Sequence, residues 1–237
     1  MKPIIGITVE SQFQPEIPRS RGKIELNWNY FEEISKAGGV PIVIPPTADM
    51  AEVAPLLDGW LLPGGLDIPA KEWGEEDHPE VDTQDGTRFD AERRLYAAIS
   101  PTLPIFGICY GAQSLNVLRG GSLEQHIPDR SPVEHTGGPL QRYHVVPGSR
   151  LADILGTAEF EGQSWHHQAV GRVGRDLRVV AEHEDGTPEA IESTDERWLI
   201  GLQCHPERTP GSDATDKVFA AFIAAAREFR ARKELHR

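Results

Sequence analysis

Two short segments, far apart in the chain, carry residue types that can do covalent chemistry together. The first is LPIFGICYGAQ, residues 103–113. Cys109 stands between Gly107 and Gly111, where an apolar run gives way to a helical pattern. A sharp strand-to-helix turn lifts a nucleophile clear of the sheet, as in the elbow that presents serine in esterases. Its flanking positions have to be small because neighbouring backbone crowds them. A helix that starts just after Cys109 aims free N–H groups at the sulfur and favours the thiolate. The same groups, that of Tyr110 first, can hold an oxyanion.

The second segment is IGLQCHPE, residues 200–207. Side chains two apart on extended chain share a face, so Glu207 can orient the His205 imidazole. A cysteine nucleophile needs such a pair: the imidazole takes and returns the proton, and the carboxylate fixes its tautomer. Cys204 then points to the opposite face and is expected in the core. A third segment, Pro63-Gly64-Gly65, follows an apolar run. Two glycines there let backbone approach a ligand and offer the other half of an oxyanion hole.

The elements that must position these residues read as βα units around a mainly parallel sheet. Strands are expected at 3–9, 40–44, 58–62 and 105–108, the last apolar enough to be covered on both faces. Helices are expected from Asn27, with Trp28, Phe31 and Ile34 on one face, from Phe89 to Ile99, from Tyr110, and from Lys217 to Arg232. The second half is richer in strands: 141–146, 159–163, 177–182, 189–192 and 198–203. Asp185-Gly186 marks a turn. Between 67 and 87 lies a polar stretch crowded with acids, Asp85 among them, and a loop this long is usually functional or mobile. No linker divides the chain, so residues 1–237 are expected to form a single domain.

Composition narrows the class. The chain has 237 residues, 38% hydrophobic and 26% charged, with a net charge of −13. That charge disfavours nucleic acid and anionic membrane as partners. No run is long and apolar enough to span a bilayer, and the N-terminus lacks a signal-peptide core, so a cytoplasmic protein is expected. The two cysteines form no CxxC pair, which suggests neither a zinc site nor a disulfide. The spacing of His126, His135, His166 and His167 suggests no metal site either.

GICYGAQ, with LLPGG before it and GLQCHPE after it, resembles the class I glutamine amidotransferase superfamily. PIIGIT at 3–8, AGGVPIVIP ending at 45, LLPGGLDI at 61–68, LNVLRGGSLEQ at 115–125, SWHHQAV at 164–170 and DGTPEAIE at 185–192 are similar to the γ-glutamyl-γ-aminobutyrate hydrolase-like branch, peptidase family C26. The resemblance implies a flavodoxin-like α/β fold and hydrolysis of a γ-glutamyl amide. It makes Cys109 the nucleophile, His205 the base and Glu207 its orienter. It puts the backbones of Gly65 and Tyr110 at the oxyanion hole, and Gly64, Gln113 and His166 near the substrate. It requires neither metal nor organic cofactor, and its only obligatory partner is a small γ-glutamyl substrate. Family members are often dimers, so a homodimer is among the arrangements it implies. Position 110 departs from the branch, which often has arginine there.

The leaving amine is open. The acidic stretch 67–92 follows the Pro63-Gly64-Gly65 turn and is a candidate for attracting a cationic amine such as a polyamine. An alternative is a glutaminase subunit that hands ammonia to a separate synthetase. A third is a binding module that kept the fold and lost the chemistry.

Overall fold

The computed structural model describes residues 1–14, 16–17, 19–83 and 86–235; Asp85 lies outside them. In chain order the first half runs β1 (Ile4–Thr8), β2 (Glu10–Phe13), β3 (Gly22–Glu25), α1 (Trp28–Lys36), β4 (Val40–Ile44), α2 (Met50–Val53), β5 (Gly59–Leu62), α3 (Thr87–Ala98), β6 (Ile105–Ile108) and α4 (Tyr110–Leu118). The second half adds β7 (Leu123–Glu124), β8 (Leu140–Val145), α5 (Arg150–Leu155), β9 (Glu159–Gln163), β10 (Ala169–Val170), β11 (Leu177–Glu182), β12 (Pro188–Ser193), β13 (Leu199–Leu202) and α6 (Asp213–Leu235).

Nine strands form one sheet in the order β4-β1-β5-β6-β13-β12-β11-β8-β9. The pairs from β4 to β13 are parallel. Those from β13 to β9 are antiparallel. The apolar runs are continuous in the parallel half because both faces are covered. Alternation splits them between two cores. Leu61, Phe106, Ile108, Ile200 and Leu202 pack with α1, α5 and α6 on one face. Trp60, Leu62, Ile105 and Leu199 pack with α2, α3 and α4 on the other. On the first face Phe106 meets Phe219 and Phe222 of α6 edge-on or tilted, at 5.3 and 5.7 Å between centroids.

The fold is therefore the α/β arrangement expected, a parallel centre flanked by helices with further strands from the second half. Three local expectations change. Trp28 is 78% exposed, and the buried stripe of α1 is Tyr30, Glu33 and Ile34. Residues 10–25, to which the sequence assigned no element, contain the β2–β3 hairpin, with Glu10 opposite Glu25. The helix α5 was also unforeseen; the Ser149 hydroxyl caps it by accepting from the Ala152 N–H, and Gly156 ends it at φ 69°.

The carboxyl ends of the parallel strands converge on one edge, the usual ligand-binding edge of such sheets. Glu10 follows β1, Gly64 follows β5, Cys109 follows β6, and His205 follows β13. No described helix is long and apolar enough to cross a membrane.

Candidate active site

Cys109 joins β6 directly to α4 with φ 51° and ψ −110°, a conformation a side-chain-bearing residue adopts only at a cost. The strain is held by packing. Its N–H donates to the Leu202 carbonyl at 2.7 Å. A Cβ on Gly107 would lie 2.6 Å from the Gly111 backbone, and one on Gly111 would lie 2.1 Å from the Leu62 carbonyl oxygen. Both glycines are thus required by close approach, as the sequence indicated. The sulfur lies 3.9 Å from the Trp165 carbonyl oxygen and 3.6 Å from the Gln203 amide nitrogen.

His205 reaches the same place from the end of β13. Its Nδ1 bonds Glu207 Oε1 at 2.7 Å, and its ring lines the same cleft as the Cys109 sulfur, near enough for the two to interact. The carboxylate therefore selects the tautomer that leaves Nε2 for the sulfur. Glu207 does not reach His205 by strand alternation, as extended chain would suggest. β13 stops at Leu202, and Pro206–Arg208 form one turn of 3-10 helix that folds the carboxylate back. All three side chains are buried. Burial pulls the His205 pKa down, but the Glu207 carboxylate and the Cys109 sulfur outweigh it and raise it to about 10. The surroundings therefore favour the imidazolium form of His205. Cys204 faces the core, 2.8 Å from where a Gly162 Cβ would be, and burial pushes its thiol well up.

The Pro63-Gly64-Gly65 turn lies against this pair. A Cβ on Gly64 would come within 2.8 Å of the His205 ring. The Gly64 N–H is already spent on the Tyr30 hydroxyl at 2.9 Å. The turn is braced from below by a buried ion pair that nothing in the sequence pattern singles out. Arg88 donates to the carbonyls of Pro63 at 2.6 Å and Gly64 at 3.0 Å, and to Glu92 at 2.8 Å. Glu92 also accepts from Thr8, Tyr110 and Ser114. The Tyr110 ring stacks under the Arg88 guanidinium, 3.8 Å from it. So the side chain of residue 110 faces this network and leaves only its backbone toward Cys109. An i, i+4 Arg-Glu pair on an otherwise polar helix looks like a surface feature; only folding reveals it as buried.

A cleft of about 300 Å³ opens over the sulfur. Gly64, Gly65, Cys109 and His205 line it, together with Tyr30, Trp165, Arg208, Glu10 and Glu25. The Trp165 ring meets the His205 ring edge-on at 5.7 Å, and the Arg208 guanidinium lies 4.4 Å above the Trp165 ring. Gln113 and His166 are not on the cleft wall. Gln113 donates to the Gln168 carbonyl and to Gln203, and His166 turns inward. Nor does the acidic stretch 67–92 line the cleft among its described residues. Its Asp67 bonds His167 at 2.9 Å instead. The acids at the mouth are Glu10 and Glu25 of the hairpin, and burial with the nearby charges of Glu25 and Asp82 raises the Glu10 pKa against the pull of Arg88.

The chain has relatives among known proteins. The Peptidase C26 family matches residues 3–207. A protein of Mycobacterium tuberculosis whose name assigns it provisionally to the glutamine amidotransferases is 35% identical, over 98% of this chain and 77% of its own. The γ-glutamyl-γ-aminobutyrate hydrolase of Escherichia coli K12 is 30% identical, over 88% of this chain and 89% of its own. A Thermoplasma acidophilum protein described as a GMP synthase subunit superposes with a TM-score of 0.72 over 99% of this chain and 98% of its own; at 16% identity it speaks to the fold alone. On the family match and the length of these alignments, the chain belongs to the peptidase C26 family of the class I glutamine amidotransferase-like proteins.

Proposed function

We propose that this chain hydrolyses the γ-glutamyl amide bond of a small amine conjugate through a thioester on Cys109. The observation behind this reading is the Cys109–His205–Glu207 arrangement at a strained elbow beneath an open cleft. Membership of a family that includes amide hydrolases supports it.

The Cys109 thiolate attacks the γ-carbonyl carbon. A C–S bond forms and the carbonyl π pair moves to oxygen. The N–H groups of Gly65 and Tyr110 hold that oxyanion, each donor being worth about 3–4 kcal/mol in comparable sites. The pair then returns, the C–N bond breaks, and the His205 imidazolium gives its proton to the departing amine. Water enters the vacated space. His205 takes its proton, hydroxide attacks the thioester, the C–S bond breaks, and glutamate leaves. Gly64 shapes the wall beside His205. Gln113 and His166 act from behind the cleft, by fixing the segment that carries Trp165 and Gln168.

The amine is read from the hairpin. Glu10 and Glu25 are directly opposite across β2 and β3 and share the cleft mouth. Like charges so placed destabilise a strand pair. Lys23 on the same hairpin already pairs with Glu25, and a cationic group on the substrate adds to that compensation at Glu10. Arg208, on the same wall, complements the glutamyl α-carboxylate. The leaving group is therefore an amine that carries a second positive charge, of the polyamine type. The glutaminase-subunit reading keeps the same triad and is favoured by the name of the mycobacterial relative.

Glutamate release from a panel separates the two: γ-glutamyl-polyamine, γ-glutamyl-γ-aminobutyrate, a folyl-polyglutamate and glutamine. The expected result is fastest turnover of the polyamine conjugate. Release from glutamine alone, rising when a second protein is added, would replace the hydrolase by the glutaminase reading. Turnover of no amide, with stoichiometric thiol labelling, would leave the binding module.

A further inference from the structure

Behind the cleft wall lies a second cluster of chemistry-bearing side chains that the triad does not use. His135 precedes β8, His166 follows β9, and Glu189 is on β12. Their ligand atoms all lie within 4.8 Å of one another, and all three residues are buried, Glu189 fully. Linear spacing gives no hint of this, because the three come from different segments that only the antiparallel half of the sheet brings together.

The hydrogen bonds around the cluster fix what each atom can offer. His166 Nδ1 lies 2.9 Å from the Gln168 carbonyl oxygen, which can only accept, so Nδ1 carries the proton. That leaves Nε2 facing inward, toward Glu189. His135 Nε2 lies 3.2 Å from Asp185 Oδ2, and Asp185 is in turn held by the Thr187 N–H and by His183. His135 thus stands between two acceptors, Asp185 Oδ2 and, at 3.1 Å from Nδ1, Gln141 Oε1; a metal bound at Nδ1 would place the ring's one proton on Nε2, toward Asp185. Between them Glu189 Oε1 is 3.5 Å from His135 Nδ1 and 3.5 Å from His166 Nε2. Neither Glu189 oxygen, nor His166 Nε2, has a hydrogen-bond partner among the described residues. Gln141 donates its amide N–H to the Glu134 carbonyl, which leaves its Oε1 facing His135 Nδ1 at 3.1 Å.

Three ligand atoms thus converge in the interior, with Gln141 Oε1 beside His135 Nδ1 and also accepting from the Tyr143 hydroxyl at 3.4 Å; acceptors so placed repel unless a proton or a metal cation lies between them. A spacing of 3.5 Å is long for a charge-assisted N–H···O bond, typically about 2.7–2.9 Å. It is close to the edge of a tetrahedron around an ion with bonds of roughly 2.0–2.1 Å, which is about 3.3–3.4 Å. The outer partners also have the form that metal-binding histidines take, one ring N–H on a carboxylate and the other on a backbone carbonyl. We propose that His135 Nδ1, His166 Nε2, Glu189 Oε1 and Gln141 Oε1 form a closed structural site for a divalent transition-metal ion of the zinc class. Two imidazoles among the donors favour zinc over magnesium or calcium, which prefer oxygen alone. Full burial leaves no open position for substrate, so the ion holds structure and does not take part in the amide chemistry. It pins the 131–138 and 164–168 segments to β12, and the latter carries the Trp165 wall of the cleft.

The test uses untagged full-length protein expressed with zinc and passed over a chelating resin. Elemental analysis should find about one zinc per chain, and four-coordinate cobalt should give intense visible absorption bands. Glu189→Gln should drop the bound zinc roughly ten-fold or more while circular dichroism stays native, and Asp185→Asn should weaken zinc affinity about 10–100-fold. Wild-type melting temperature should fall with a chelator and return with zinc alone. Wild type that holds less than roughly a tenth of an equivalent, and melts the same with and without zinc, would overturn the site in favour of a proton shared by Glu189 and His166. Zinc retained in full by Glu189→Gln would place the metal elsewhere and overturn it equally.

Discussion

Among single residues, the proposed chemistry rests on Cys109, His205 and Glu207. Cys109→Ala removes the nucleophile and should lower kcat roughly 10⁴-fold or more with folding unchanged; steady-state kinetics beside a thermal melt checks this. The pH dependence follows from His205. Its folded pKa of about 10 lies above its ordinary value of 6.5. The imidazolium's contribution to stability is thus fully present below about pH 6.5 and is lost as pH rises through about 10. In the proposed mechanism the same group protonates the leaving amine, so kcat/KM should fall on the alkaline side as His205 loses its proton. Glu207→Gln removes the largest favourable cause and should move that limb toward lower pH. A limb that does not move would show that another group sets it. The cysteine, histidine and glutamate were legible because each is a distinctive residue type at a fixed spacing. Arg88, Glu92, Trp165 and Arg208 were not, because their types are common and their roles depend on which way a helix or loop faces.

Among the elements, the turns after β5 and β6 do the positioning. Gly111→Ala would drive a methyl into the Leu62 carbonyl, and a close-packed elbow cannot absorb it. Stability should fall by about 1–3 kcal/mol, as denaturant titration would show. Arg88→Met should cost more, about 3–5 kcal/mol, because it leaves Glu92 buried without its cation. It should also free the carbonyls of Pro63 and Gly64 and lower kcat about a hundred-fold through a displaced oxyanion turn, with KM little changed. An intact kcat in this variant would mean the turn holds itself. The strands β4, β6, β9 and β11 match the sequence expectation residue for residue: β6 is a fully buried apolar run, β9 alternates exposed and buried positions, and β4 stops at Pro45-Pro46. The hairpin of β2 and β3 was missed because its strands are short, polar and exposed, so no hydrophobic alternation marks them. The stripe of α1 was misread at Trp28 because spacing alone does not say where a helix rotates about its axis.

Across the whole molecule, net charge and the hairpin act together. A chain at −13 attracts cations in general, while Glu10 and Glu25 focus that attraction on the cleft mouth. With a polycationic γ-glutamyl amide, kcat/KM should fall as salt rises past a Debye length of about 10 Å near 0.1 M. With glutamine it should be nearly flat. Glu25→Gln should reduce the salt slope for the cationic substrate and leave the glutamine rate alone. An unchanged slope would move the attraction back to the 67–92 stretch, where the sequence first suggested it. The overall architecture was legible from alternating apolar and amphipathic segments. The junction of a parallel and an antiparallel half was legible only in part, because strand order is set by long-range pairing that local pattern does not encode.

Covalent catalysis by Cys109 is tested by catching the intermediate. Protein turning over a γ-glutamyl amide is quenched in acid and weighed intact, then digested to place any adduct. The expected result is one γ-glutamyl group in thioester linkage on the peptide containing Cys109, and none in Cys109→Ala. Glutamate release that proceeds without an adduct, and equally fast in Cys109→Ala, would contradict it.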